Sequence, residues 1–117
     1  MPTFDLLRHE ADARSFRAGE LIFSEGEPGE HMYAVLEGEV AIRKGERVLE
    51  VVGSGSVFGE MALIDRMPRS AAAIAKSDCR VAAVDQSRFM LLVQQTPFFA
   101  LQMMQVLSDR LRRNTAS

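Results

Sequence analysis

Cysteine is almost absent from this 117-residue chain: Cys79 stands alone, so no intrachain disulfide can form and no cysteine-based metal spacing can be drawn. Histidine is nearly as scarce. His9 and His31 lie far apart with no clustered ligands beside them, which argues against a metal centre or a histidine general base. A cupin-type enzyme, the obvious catalytic small β-barrel, is excluded on the same ground. Excess positive charge is also missing. The formal net charge of −2 rules out the broad basic surface of a nucleic-acid binder, so an anionic ligand has to be attracted locally. No segment offers about 18 uninterrupted apolar residues for a membrane span, and Met1-Pro2-Thr3-Phe4-Asp5 lacks the basic start and apolar run of a leader. Internal repeats, low-complexity tracts and interdomain linkers are absent too. These absences predict a soluble, cytoplasmic, non-enzymatic protein with no metal, no cofactor and no membrane partner.

What is present suits one domain over residues 1–117, with a 47% hydrophobic fraction sufficient for a core. Glycines at 19, 26, 29, 38, 45, 53, 55 and 59 separate short β-prone runs at 21–23, 32–36, 40–43 and 48–52, with further runs at 71–75 and 80–84. Val40-Ala41-Ile42-Arg43 alternates in part, as a strand with one inward face does, and Lys44-Gly45-Glu46 reads as a hairpin tip. That rhythm predicts a β-roll over about 16–85. After Asp85 the glycines stop and helix formers take over, in 88–93 and again in 98–113. Thr96-Pro97 supplies an N-cap followed by proline at the first helical position, so two separate C-terminal helices are expected within about 86–113. Residues 4–13 are expected to form a short N-terminal helix. On the last helix Ala100, Met104, Leu107 and Leu111 follow helical spacing, and Phe99, Met103 and Val106 widen the stripe. Core packing is the default for that face; a dimer seam or a cap over a ligand are the functional alternatives.

The chemistry concentrates in Val57-Phe58-Gly59-Glu60-Met61-Ala62-Leu63-Ile64 and, after the short spacer that carries Asp65-Arg66, in Pro68-Arg69-Ser70-Ala71-Ala72. Gly59 leading into a short helical turn can aim backbone N–H groups and the turn's dipole at an anion. Arg69 supplies the planar donor fork that grips a phosphate bidentately. Glu60 is the odd member, since a carboxylate beside a phosphate is repulsive unless it accepts from something else, such as a ribose hydroxyl. Capping the turn or pairing with Arg69 are its structural alternatives. Ser70 divides between a ligand contact and a hydroxyl that satisfies nearby backbone.

This pattern resembles the phosphate-binding cassette of cyclic nucleotide-binding domains, the family found in catabolite activator protein, protein kinase A regulatory subunits and cyclic nucleotide-gated channels. The likeness runs from about 16 to 113 and includes Ala18-Gly19-Glu20-Leu21-Ile22-Phe23, Glu25-Gly26-Glu27-Pro28-Gly29 and Met32-Tyr33-Ala34-Val35-Leu36-Glu37-Gly38-Glu39-Val40. It implies a mainly β fold with flanking helices: a jelly-roll-like β-roll, a short N-terminal helix, an embedded cassette and two C-terminal helices. It also implies a ligand site at Phe58, Gly59, Glu60, Met61, Ala62, Arg69, Ser70 and Ala71. In the family, Gly59 and Glu60 would contact ribose and phosphate, Met61 and Ala62 would lend N–H groups, Arg69 would hold the exocyclic oxygens, and Ser70 would sit beside phosphate and base. The implied function is a cAMP or cGMP sensor that passes occupancy through its C-terminal helices to a partner protein or a second copy. An adaptor of the same fold that binds no nucleotide is the alternative. A transcription factor of this type needs a helix-turn-helix after the long helix, and with the sequence ending at Ser117 no direct DNA binding is expected.

Overall fold

A computed structural model describes residues 5–115. Two four-stranded antiparallel sheets face each other. One runs β1 (Ala13–Phe16), β8 (Cys79–Asp85), β3 (His31–Glu37), β6 (Val57–Phe58); the other runs β2 (Leu21–Phe23), β7 (Ala72–Ala75), β4 (Val40–Lys44), β5 (Arg47–Val52). The fold is thus mainly β with helices at its flank, as the strand rhythm predicts. The β4–β5 hairpin closes at Gly45-Glu46, with Lys44 opposite Arg47.

Side-chain alternation divides the first sheet between two cores. On β3, Tyr33 and Val35 point at the second sheet, where they meet Phe23, Val40 and Ala73, with Phe58 of the neighbouring β6 in the same cluster. Met32 and Ala34 point the other way, into a cluster with Val84 of β8 and with Phe89, Leu92, Phe99, Met103 and Val106 from the helices. This is why β3 and β8 read as nearly unbroken apolar runs: both of their faces are covered. The second sheet has one covered face, so β7 alternates, with Ala73 and Ala75 buried and Ala72 and Ile74 partly open.

Helix α2 (Gln86–Gln95) begins at Asp85, whose carboxylate accepts from the Arg88 N–H at 2.8 Å and so satisfies one orphan donor of the first turn. Helix α3 (Pro97–Thr115) follows after Thr96, whose N–H bonds the Leu92 carbonyl while its own carbonyl accepts from Phe99 N–H. Proline at its first position removes a donor that would have had no partner. Phe89 and Phe99 meet edge to face at 5.7 Å, joining the two helices.

Two expectations need correction. Residues 4–13 do not form a single helix: Asp5–His9 is a 3-10 turn, residue 4 lies outside the described residues, and residue 13 already opens β1. On α3 the buried line is Phe99, Met103 and Val106, whereas Met104 and Leu111 are 63% and 66% exposed. Among the described residues no helix is long and apolar enough to cross a membrane.

Candidate functional site

Strand β6 ends at Phe58, Gly59 turns the backbone with φ +78°, and the four-residue helix α1 (Met61–Ile64) starts at once. Its first intrahelical bonds run from Leu63 and Ile64 N–H to the Glu60 carbonyl, which leaves the Met61 and Ala62 N–H groups outside the turn's own ladder. All eight residues expected at the site, Phe58, Gly59, Glu60, Met61, Ala62, Arg69, Ser70 and Ala71, line one cavity of about 170 Å³, together with Phe23, Ile42, Glu50, Pro68 and Arg110. Phe58 is its apolar floor, stacked on Tyr33 at 5.2 Å and 6.0 Å from Phe23. Ala62 and Ala71 are buried; Met61 and Ser70 are exposed at the rim.

Arg69 is held from several sides. Its Nη1 donates to the Gly59 carbonyl at 2.8 Å and its Nη2 to the His31 carbonyl at 2.7 Å, while Cζ lies 3.9 Å above the Phe23 ring. Its own backbone is clamped, N–H to the Glu27 carbonyl and C=O from Gly26 N–H. Two glycines make room for the guanidinium. A Cβ on Gly29 would fall 2.3 Å from the Ala62 Cβ and 2.8 Å from Arg69 Nε; one on Gly59 would fall 2.8 Å from Nη1. The Glu25-Gly26-Glu27-Pro28-Gly29 motif therefore serves to seat Arg69. Burial lowers the pKa of the guanidinium, opposed by Tyr33 and Glu27, yet an arginine stays charged. Nε is buried and has no hydrogen-bond partner among the described residues.

Glu60 is only 4% exposed and makes no side-chain cap to α1. Nor does it pair with Arg69. Its carboxylate receives Nη1 of Arg110, reaching across from α3. Arg110 Nη2 donates to the Val57 carbonyl and lies 3.3 Å from Glu50 Oε2, and its Nε is 3.2 Å from Glu50 Oε1. Arg113 approaches Glu50 at 3.6 Å. Neither Glu50 nor Arg110 stood out in the sequence, although one signal existed. Phe99, Met103, Val106 and Arg110 share a spacing of four, three and four, so a charged residue sits in line with the buried face.

Other candidates stay apart. Asp65 and Arg66 are exposed in the spacer, and His31 contributes its carbonyl while its ring lies 6.2 Å from Tyr33. Among the described residues no group of three or more His, Cys, Asp or Glu side chains is placed to hold a metal ion. The cavity is thus lined by a buried guanidinium, Arg69, by the buried carboxylate of Glu60 with its partner Arg110, and by the rings of Phe23 and Phe58. That arrangement suits a compact anion carrying hydroxyl groups.

Comparison with known proteins agrees with the geometry. The family model for the cyclic nucleotide-binding domain matches residues 13–96. The chain is 31% identical over 103 residues to a CRP-like cAMP-activated global transcriptional regulator of Mycobacterium tuberculosis, covering 84% of this chain and 46% of that one. It is 38% identical over 82 residues to a cAMP-dependent protein kinase regulatory subunit of Hypocrea atroviridis, covering 70% and 18%. The crystal structure of Thermus thermophilus catabolite activator protein superposes with a TM-score of 0.85 at 32% identity, over 96% of this chain and 55% of that one. The chain spans about half the length of the bacterial regulators it matches, and less of the kinase subunit.

Proposed function

Since the chain belongs to the cyclic nucleotide-binding domain family, we propose that it binds cAMP or cGMP in the cavity under α1 and acts as a regulatory domain rather than an enzyme. The reading rests on one observation: a buried guanidinium, a buried carboxylate and the first residues of α1, Met61 and Ala62, line a single cavity. Arg69 and the Met61 and Ala62 N–H groups take the cyclic phosphate, Glu60 accepts from the ribose 2′-hydroxyl, and Ser70 stands where phosphate meets base. Phe58, Gly59 and Ala71 shape the walls. The unpartnered Arg69 Nε is the donor that a phosphate oxygen completes.

Occupancy leaves the site through Leu63. This α1 residue belongs to the same apolar cluster as Phe89, Leu92, Phe99, Met103 and Val106, so a shift of the cassette reaches α2 and α3 through packed side chains. The outward face of α3, with Phe98, Leu101, Met104 and Leu111 exposed, is where a second copy or a partner protein reads the change.

One observation favours the second reading, an adaptor that binds no nucleotide: Arg110 already takes one oxygen of the Glu60 carboxylate. Titration calorimetry with cAMP, cGMP and 5′-AMP at matched salt separates the two. Heat from either cyclic nucleotide, and much less from the open monophosphate, is expected. Heat from neither cyclic ligand overturns the sensor and leaves the adaptor.

A further inference from the structure

We infer that the outer face of the second sheet is a docking surface for a second copy of this chain, packed face to face about a two-fold axis parallel to the strands. An antiparallel sheet covered on one side is expected to turn polar side chains to water on the other. This one does not. Val40, Ala73, Ala75 and Val52 face the roll core, so the residues that alternate with them face outward. The ladder sets four of these, Leu21, Ile74, Ala41 and Val51, in one row across all four strands. Leu21 and Val51 are exposed, as is Val48, which lies in the next row with Arg43 and Ala72. An apolar stripe therefore crosses the sheet from edge to edge on its open side.

The strand order makes that stripe complementary to itself. A two-fold axis along the middle of the sheet, between β7 and β4, brings β2 of one copy over β5 of the other and β7 over β4. Leu21 then meets Val51, and the large Ile74 meets the small Ala41, at the roughly 10 Å spacing of packed sheets. Charge obeys the same symmetry. At one end of the sheet the β4–β5 hairpin carries Arg43, Lys44 and Arg47 around a single acid, Glu46, while Glu25 and Glu27 follow β2 at the same end but the opposite edge. The axis sets each basic hairpin against the acidic loop of the other copy. Among the described residues, none of Arg43, Lys44, Arg47, Glu25 and Glu27 makes an ion pair, and Arg43 Nε is buried without a hydrogen-bond partner. At the far end Lys76, whose N–H bonds the Glu39 carbonyl at 3.0 Å, continues β7 and Glu39 leads into β4, so across the axis each lysine faces a glutamate. A face of roughly 19 by 17 Å, from strand spacing and rise, is at the small end for a stable interface, so the dimer should be reversible.

Sedimentation equilibrium on the protein without nucleotide, from micromolar to submillimolar concentration, tests the contact separately from the nucleotide reading. Wild type should show a monomer–dimer equilibrium. Ile74→Lys sets an unpaired charge at the centre of the contact and should weaken the dimer roughly a hundredfold or more, with an unchanged circular dichroism spectrum. Two variants of exposed side chains keep the test standing if that one misfolds. Lys44→Glu with Arg47→Glu turns both sides of the charged contact acidic, and Glu25→Lys with Glu27→Lys turns both basic, so each alone should lose roughly tenfold in self-affinity. Mixed in equal amounts, the two should form a heterodimer as tight as the wild-type dimer. Met104→Glu, on α3, should leave the dimer intact. A wild type that is monomeric at every concentration overturns the proposal, as does a mixture no tighter than either variant alone. Self-association that Met104→Glu removes and Ile74→Lys spares would seat the second copy on α3 instead. Chains growing past the dimer would mean a head-to-tail contact, which overturns the two-fold arrangement.

Discussion

Arg69 ties two distant backbone carbonyls, Gly59 before α1 and His31 at the start of β3, while stacking on Phe23. Arg69→Ala therefore removes a phosphate donor and also strands two acceptors, each costing about 1–3 kcal/mol where water cannot reach. Calorimetry should find cAMP binding lost, and a thermal melt should find the midpoint lowered as well. Arg69→Lys keeps the charge but cannot make both planar bonds, so it should recover part of the stability and little of the binding. A variant that melts like wild type would show that the two carbonyls do not depend on the arginine. The glycines beside it offer a matched pair. Gly29→Ala drives a methyl into Ala62 and Arg69, whereas Gly53→Ala meets nothing within 4 Å. Only the first should lower both melting temperature and nucleotide affinity; equal behaviour would mean that Arg69 yields easily.

At the scale of elements, α1 is short but connects two regions: Ala62 faces the cavity and Leu63 enters the helix cluster. Leu63→Ala should cost about 2–5 kcal/mol in a denaturant melt, as for other truncations in a packed core. It should also blunt the ligand-induced change in exchange across α2 and α3 while cAMP still binds. An undiminished response in α3 would place the coupling elsewhere. The elements differ in how far their sequences announce them. Strands β2 to β5, β7 and β8 are legible because alternation, or apolar runs bounded by turn residues, mark them. Strand β1 is not: Ala13-Arg14-Ser15-Phe16 lies at a sheet edge with its side chains largely open, so burial writes no pattern on it. Helix α3 is legible as a helix, but its apolar arc is so wide that spacing could not decide whether Phe99 or Met104 faces inward. The cassette is the most legible part, since its residues are near neighbours in the chain. The Glu60–Arg110 pair is hidden, because fifty residues separate its members and only the fold brings them together.

For the molecule as a whole, one sheet lies between two cores, the roll interior on one side and the helices on the other. A ligand seated in the roll thus acts on α2 and α3 without touching most of either. Assembly is the consequence to measure at this scale. If a second copy reads the outer face of α3, Met104→Glu should abolish self-association in sedimentation equilibrium and leave cAMP affinity intact, since Met104 is 63% exposed and lies off the cavity. Self-association that survives the substitution would move the interface elsewhere. The aromatic floor carries a further consequence, an optical one. The chain has no tryptophan and one tyrosine. Tyr33 is 5% exposed, stacked on Phe58 at 5.2 Å and 5.9 Å from Arg69 Cζ, beneath the proposed phosphate site. Its emission reports from one place without competing fluorophores, so a nucleotide that draws Arg69 toward itself should change the quantum yield and lifetime of that single phenol. The unmodified protein carries its own probe of occupancy, and stopped-flow fluorescence can follow the cassette filling in real time.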